Sequence, residues 1–103
     1  MNSNQSFGEI IRALRKKSSE PLRVVAAAVE MDSTLLSKIE RGERFPTEPQ
    51  IVRFAKYFNV PQNELRTLVI AEKIVAQYGH HAATIRAMKI VKARAGVSAK
   101  ERK

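Results

Sequence analysis

Apolar residues recur along this chain at helical spacing. Phe7, Ile10, Ile11 and Leu14 form a first stripe, with Arg12, Lys16 and Lys17 outside it. Ser6 and Glu9 stand three residues apart, the pattern of a capping box, and predict a helix start at Phe7. Ser18-Ser19-Glu20-Pro21 ends that helix, and Pro21 suits the opening of a second. The second stripe is Leu22, Val25, Ala26 and Val29, and the run Ala26-Ala27-Ala28 permits close approach by another helix. Asp32 can cap a short third helix with Leu36 and Ile39 inward, and Gly42 stops it. Residues 41–49 read as a loop with two prolines. Thr47 then caps a fourth helix that buries Ile51, Phe54, Ala55 and Phe58. After a turn at Asn59-Val60-Pro61, a fifth helix is expected to Tyr78, with Gly79 as its stop. Its apolar residues cover more than one stripe, which predicts two buried faces. A sixth helix, roughly 81–95, is expected to bury Ile85, Met88 and Val91 and to show Arg86, Lys89 and Lys92 outside. Met31, like Met88, is expected in the core. No alternating strand pattern occurs, so the chain reads as all-α.

Composition narrows the function. A chain of 103 residues is enough for one hydrophobic core. The absence of cysteine excludes a disulfide scaffold, a thiolate zinc site and a thiol nucleophile. No nucleophile–base pair, glycine-rich phosphate loop or carboxylate cluster is visible, so neither an enzyme nor a cofactor is expected. The adjacent histidines, His80 and His81, would diverge by about 100° on a helix and do not suit a shared metal. The longest apolar run, Val24 to Val29, is far below the roughly 18 residues of a membrane span. The first five residues lack a signal-peptide pattern, so the cytoplasm is the expected compartment.

The formal net charge is +9. A balance this basic in a small domain points to a polyanionic partner. The excess is concentrated: residues 84–103 hold seven Lys and Arg against Glu101 alone. From Gly96 onward no core-forming pattern remains, and a structureless basic tail with Lys100, Arg102 and Lys103 is expected.

Residues 22–39 follow the helix-turn-helix plan, two short helices joined by a tight turn at Glu30-Met31-Asp32. A reading helix must fit a major groove about 12 Å wide and offer polar side chains from its first turn. Ser33, Thr34, Ser37 and Lys38 fall outward here, opposite Leu36 and Ile39.

The segment from Asp32 to Thr47, with Ser37-Lys38-Ile39-Glu40-Arg41-Gly42 at its centre, resembles the signature of the Xre-like family, the Cro and phage-repressor type of helix-turn-helix. The stretches around Ile11–Arg15 and Phe54–Val60 match the family pattern too, so the resemblance covers roughly residues 7–68. It implies a lambda-repressor-like bundle of about five helices, here with an added C-terminal helix, that binds double-stranded DNA through residues 33–40. By that resemblance Ser33, Thr34 and Lys38 face base edges. Ser37, Arg41 and Arg44 are candidates for phosphate contacts, which position without specifying. Leu22 stands where the family often carries a phosphate-touching Gln, and the neighbouring Arg23 can take that contact. Leu35 stands where the family is more often polar, at the groove edge or against a thymine methyl. Arg15 and Glu40 are implied to form a buried ion pair between the first and third helices. Glu30 occupies the turn position usually held by Gly, where a positive φ would cost a non-Gly residue roughly 1–2 kcal/mol.

The resulting division is a DNA-binding domain over 6–69, a helical extension over 70–95 and the basic tail over 96–103. Such proteins usually read half-sites one DNA turn apart as dimers. The apolar surplus of the last two helices assigns Ile70, Ile74, Val75, Tyr78 and Ile85 to a two-fold homodimer interface. The expected function is a sequence-specific transcriptional regulator. The rivals are an antitoxin-like protein-binding module with secondary DNA binding, and a charge-driven binder of nucleic acid or membrane surfaces.

Overall fold

The computed structural model describes residues 4–101, with side chains described through residue 96. Six helices follow one another: α1 (Phe7–Lys17), α2 (Leu22–Ala28), α3 (Ser33–Glu40), α4 (Glu48–Phe58), α5 (Gln62–Tyr78) and α6 (Ala82–Glu101). No strand occurs among the described residues, and none of their helices is long and apolar enough to cross a membrane. The chain divides into two compact units, one up to Lys73 and one from Ile74 on.

The first unit owns the hydrophobic core. Phe7, Ile10 and Ile11 of α1 meet Val25, Ala26 and Val29 of the α2 region, Leu36 and Ile39 of α3, Ile51, Phe54 and Ala55 of α4, and Leu65 and Val69 of α5. Phe7 and Phe54 pack edge to face, with ring centroids 5.7 Å apart, an arrangement that aromatic quadrupoles favour. Met31 lies half-buried against this core.

Helix α3 is seated on α1 through an unusually close backbone contact. A Cβ added at Gly8 would lie 2.4 Å from the Ile39 carbonyl oxygen and 2.6 Å from that of Glu40. These are main-chain atoms, so no side-chain rotation could relieve the overlap. One helical turn pair further along, the Arg15 guanidinium grips Glu40 with two hydrogen bonds, Nε to Oε2 at 2.8 Å and Nη2 to Oε1 at 3.0 Å. Arg15 Nη1 also donates to the Glu20 carbonyl at 3.2 Å. The Glu40 side chain is 6% exposed, and removing one partner from so buried a pair typically costs about 3–5 kcal/mol. The Glu40 hydrogen bonds hold the Arg15 guanidinium above its ordinary pKa.

Helix boundaries follow local chemistry. The Ser6–Glu9 capping box forms in both directions, and hydrogen bonds from Ser6, its backbone amide first, hold the Glu9 carboxyl below the usual carboxylate range. Thr47 and Gln50 build a second reciprocal box at α4. Asp32 caps α3 by accepting from the Leu35 amide at 2.7 Å. The first three helices end in the same way. A left-handed residue (Ser19, Glu30 or Gly42) turns the chain, and two amides bond back to the last helical turn, as in a Schellman motif. At α2 these bonds are Glu30 N–H to Ala27 O and Met31 N–H to Ala26 O, at 3.2 and 2.9 Å. Glu30 has φ 59°, so this turn does take the backbone form that glycine would hold without strain.

Several sequence expectations are corrected. Of the two buried faces expected on α5, one is formed within the single chain, by Leu65 and Val69 with Leu68 beside them. Ile70, Val75 and Tyr78 are exposed, and Ile74 is half-buried. In α6, Ile85, Met88 and Val91 are not buried: they remain 46%, 40% and 66% exposed. Within the second unit α6 has only the end of α5 and the Gly79 turn to pack on, so its apolar side lacks a covering layer. Helix α6 also continues through Gly96 to Glu101, past its expected end near residue 95 and into the segment expected to lack structure. Arg102 and Lys103 lie outside the described residues, as does the side chain of Lys100.

Two substitutions test the first unit. Gly8→Ala drives a methyl group into two carbonyls and is expected to lower unfolding free energy by about 3 kcal/mol, at the upper end of overpacking costs. Glu30→Gly removes left-handed strain, partly offset by the entropy of glycine, and is expected to raise stability by up to about 1 kcal/mol despite losing the exposed pair with Arg53. Urea titration of both variants checks these signs.

Candidate nucleic-acid interface

Helix α3 has a sharp division between its sides. Leu36 and Ile39 are buried against α1 and α2, and Glu40 is fixed by Arg15. Ser33, Ser37 and Lys38 are half-buried, and Thr34 is exposed. The inner side is therefore spent on the fold and the outer side is left out of the core. The Asp32 cap and the left-handed Glu30 set the direction in which the first turn of α3 projects.

A shallow recess of about 290 Å³ lies on the outer side, lined by Asp32, Thr34, Leu35, Lys38 and Arg44. Thr34, Lys38 and Arg44, assigned separately to bases and phosphate by sequence, thus share one surface. Its cations come from two elements: Lys38 from α3 and Arg44 from the loop that follows. Leu35 borders the recess and also packs against the core, so it forms an apolar edge beside the polar groups. Asp32 was missed as a lining residue. Its carboxylate is already engaged by the Leu35 amide, which accounts for an acid at a basic surface.

The other candidates lie nearby in different settings. Ser33 opens α3, and Arg23 is exposed in the first turn of α2. Ser37 and Arg41 are drawn into one cluster, with Arg41 Nη1 donating to Ser37 Oγ. Arg41 also bonds to Glu43, Nε to Oε2 at 2.5 Å, a pairing that sequence reading did not anticipate. Phe45 is exposed, with Lys73 Nζ 5.8 Å from its ring centroid. Among the described residues no group of three or more histidine, aspartate or glutamate residues is placed to hold a metal ion.

The fold has recognisable counterparts. A family model described as a helix-turn-helix domain matches residues 6–68. Among solved structures, the chain is similar to the restriction-modification controller protein C.AhdI from Aeromonas hydrophila. The two are 25% identical with a TM-score of 0.53, over 57% of this chain and 89% of that one. No match was found among curated proteins. With its core, its turn and its outward polar helix accounted for by one domain type, the chain belongs to the helix-turn-helix domain family, in the Xre-like, lambda-repressor-like form, and carries a DNA-binding domain of transcription regulators, not of enzymes.

Proposed function

We propose that the protein is a sequence-specific regulator that binds double-stranded DNA as a homodimer on a two-fold symmetric operator. The observation that carries this reading is the recess on the outer side of α3, where Thr34 and Lys38 stand beside Arg44 while the inner side is locked into the core. In the major groove Lys38 donates to guanine O6 and N7, and Ser33 and Thr34 pair with base edges from the first turn. Arg23, Ser37, Arg41 and Arg44 bind phosphates and fix the register. The likeness to a restriction-modification controller protein supports control of a small neighbouring gene set as the task.

The dimer is assigned to Ile70, Ile74, Val75, Tyr78 and Ile85. Within the second unit, Ile74, Tyr78, Met88 and Val91 border an apolar groove of about 430 Å³. Uncovered apolar surface of this kind marks an interaction site in a small protein, and a second copy of the chain would cover both grooves at once through two-fold symmetry.

Selection of bound duplexes from a random pool at about 0.15 M salt, where electrostatic binding is partly suppressed, is expected to enrich a two-fold symmetric sequence. Lys38→Ala is expected to weaken binding to that sequence by about 1–3 kcal/mol and to relax preference at one base pair of each half-site, leaving thermal unfolding unchanged. Enrichment of no sequence, with binding that vanishes as salt rises, would favour the charge-driven alternative. Light scattering at tens of micromolar is expected to show a dimer, and Tyr78→Glu, at a position 60% exposed in the single chain, a monomer. A wild-type monomer would turn the groove over to a different protein partner.

A further inference from the structure

Arg41 is more firmly held than an exposed phosphate-binding arginine needs to be. Its Nε lies 2.5 Å from Glu43 Oε2 and its Nη2 3.5 Å from Oε1, while Nη1 donates to Ser37 Oγ. A guanidinium gripping two oxygens of one anion is also how arginine takes a phosphate. Of the two groups assigned to the DNA backbone at this end of α3, Arg41 is thus already occupied by an acid of the same chain, and Ser37 accepts from that same Arg41.

The backbone brings that acid there. Gly42 has φ 77°, and the turn it makes is closed by Gly42 N–H to Ile39 O at 3.1 Å and Glu43 N–H to Lys38 O at 2.9 Å. Glu43 is folded back against the end of α3, beside Arg41 and near Lys38. Arg41, first through its hydrogen bond, and Lys38 more weakly, draw the Glu43 carboxyl below the usual carboxylate range. Both side chains of the pair are about half exposed, 52% for Arg41 and 53% for Glu43, so a duplex reaches the pair without any rearrangement of the core.

We propose that Glu43 is an intramolecular stand-in for a DNA phosphate: it holds Arg41 in the free protein, must yield it to the duplex, and so holds down affinity for DNA of any sequence. The inference rests on the DNA-binding reading above and adds a brake to it. Of the groups assigned to base readout, Ser33 and Thr34 take no part in this exchange, and Lys38 meets Glu43 only through a weak charge attraction. The brake therefore lowers the baseline of binding and not the choice of sequence.

The experiment is a salt titration of binding to the selected operator and to an unrelated duplex of equal length, for wild type, Glu43→Gln, Arg41→Gln and the double variant. One phosphate contact adds about 0.9 to the slope of log affinity against log salt, which amounts to roughly eightfold at about 0.1 M salt. Glu43→Gln is expected to bind both duplexes about that much more tightly, with the slope steeper by about one. In the Arg41→Gln background the same change is expected to give no gain. Thermal unfolding of each variant checks that the fold is intact. Equal or weaker binding by Glu43→Gln overturns the role of Glu43, and so does a gain that persists without Arg41, which would reflect only the lost negative charge. Failure of the wild type to bind any duplex overturns the DNA-binding reading itself, an outcome separate from the first two.

Discussion

The seat of α3 on α1 is the constraint from which the rest of the first unit follows. Gly8 brings main chain against main chain at the C-terminal end of α3, and a separation that small cannot be made by side chains filling a gap. Arg15 then fastens the same end through Glu40. The two contacts act on different terms, one steric and one electrostatic, and both act on the last turn of α3. With that turn fixed and Asp32 fixing the first, neither end of the short helix is free to tilt. The outward residues of α3 gain their directions from this inner anchorage, and a helix of only eight residues depends on it more than a long helix would.

Much of the fold was legible because its punctuation is local. The box at Ser6 and Glu9, the caps Asp32 and Thr47, and the glycine stops at Gly42 and Gly79 each act within a few residues and can be read from spacing. Glu30 was legible as an anomaly, a bulky residue in a glycine position, and its left-handed backbone is the structural counterpart. Ser19 takes the same conformation without any signal, since serine in a polar loop suits many geometries. The apolar residues of α6 were misjudged for a different reason. Periodicity reports that one side of a helix is apolar and says nothing of what covers it. Ile85, Met88 and Val91 have the pattern of a core stripe but have no layer above them within their own unit.

The surface around α3 was legible to a similar depth. The outward set Thr34, Lys38 and Arg44 came from helical spacing and from the family signature, and the structure gathers these residues around one recess. The Arg41–Glu43 pair was not legible. In a continued helix a basic and an acidic residue separated by a glycine would point to opposite sides, and the left-handed turn at Gly42 folds them together. Sequence counts charges, whereas the turn decides which of them are already neutralised. The formal charge of the motif therefore overstates the field that its outer side presents to an approaching anion.

The hydrogen bond between the Phe7 amide and Glu72, 2.6 Å long and spanning 65 residues of chain, has a consequence for the order of assembly. It supplies a carboxylate to the opening turn of α1, where unpaired amides favour negative charge. That carboxylate lies four residues beyond the segment matched by the family model. During synthesis α1 lacks this partner until residue 72 has been made. Completion of the domain is thus tied to a residue of the fifth helix, and a fragment ending at residue 68 would carry every element of the family pattern yet lack the group that closes its own beginning.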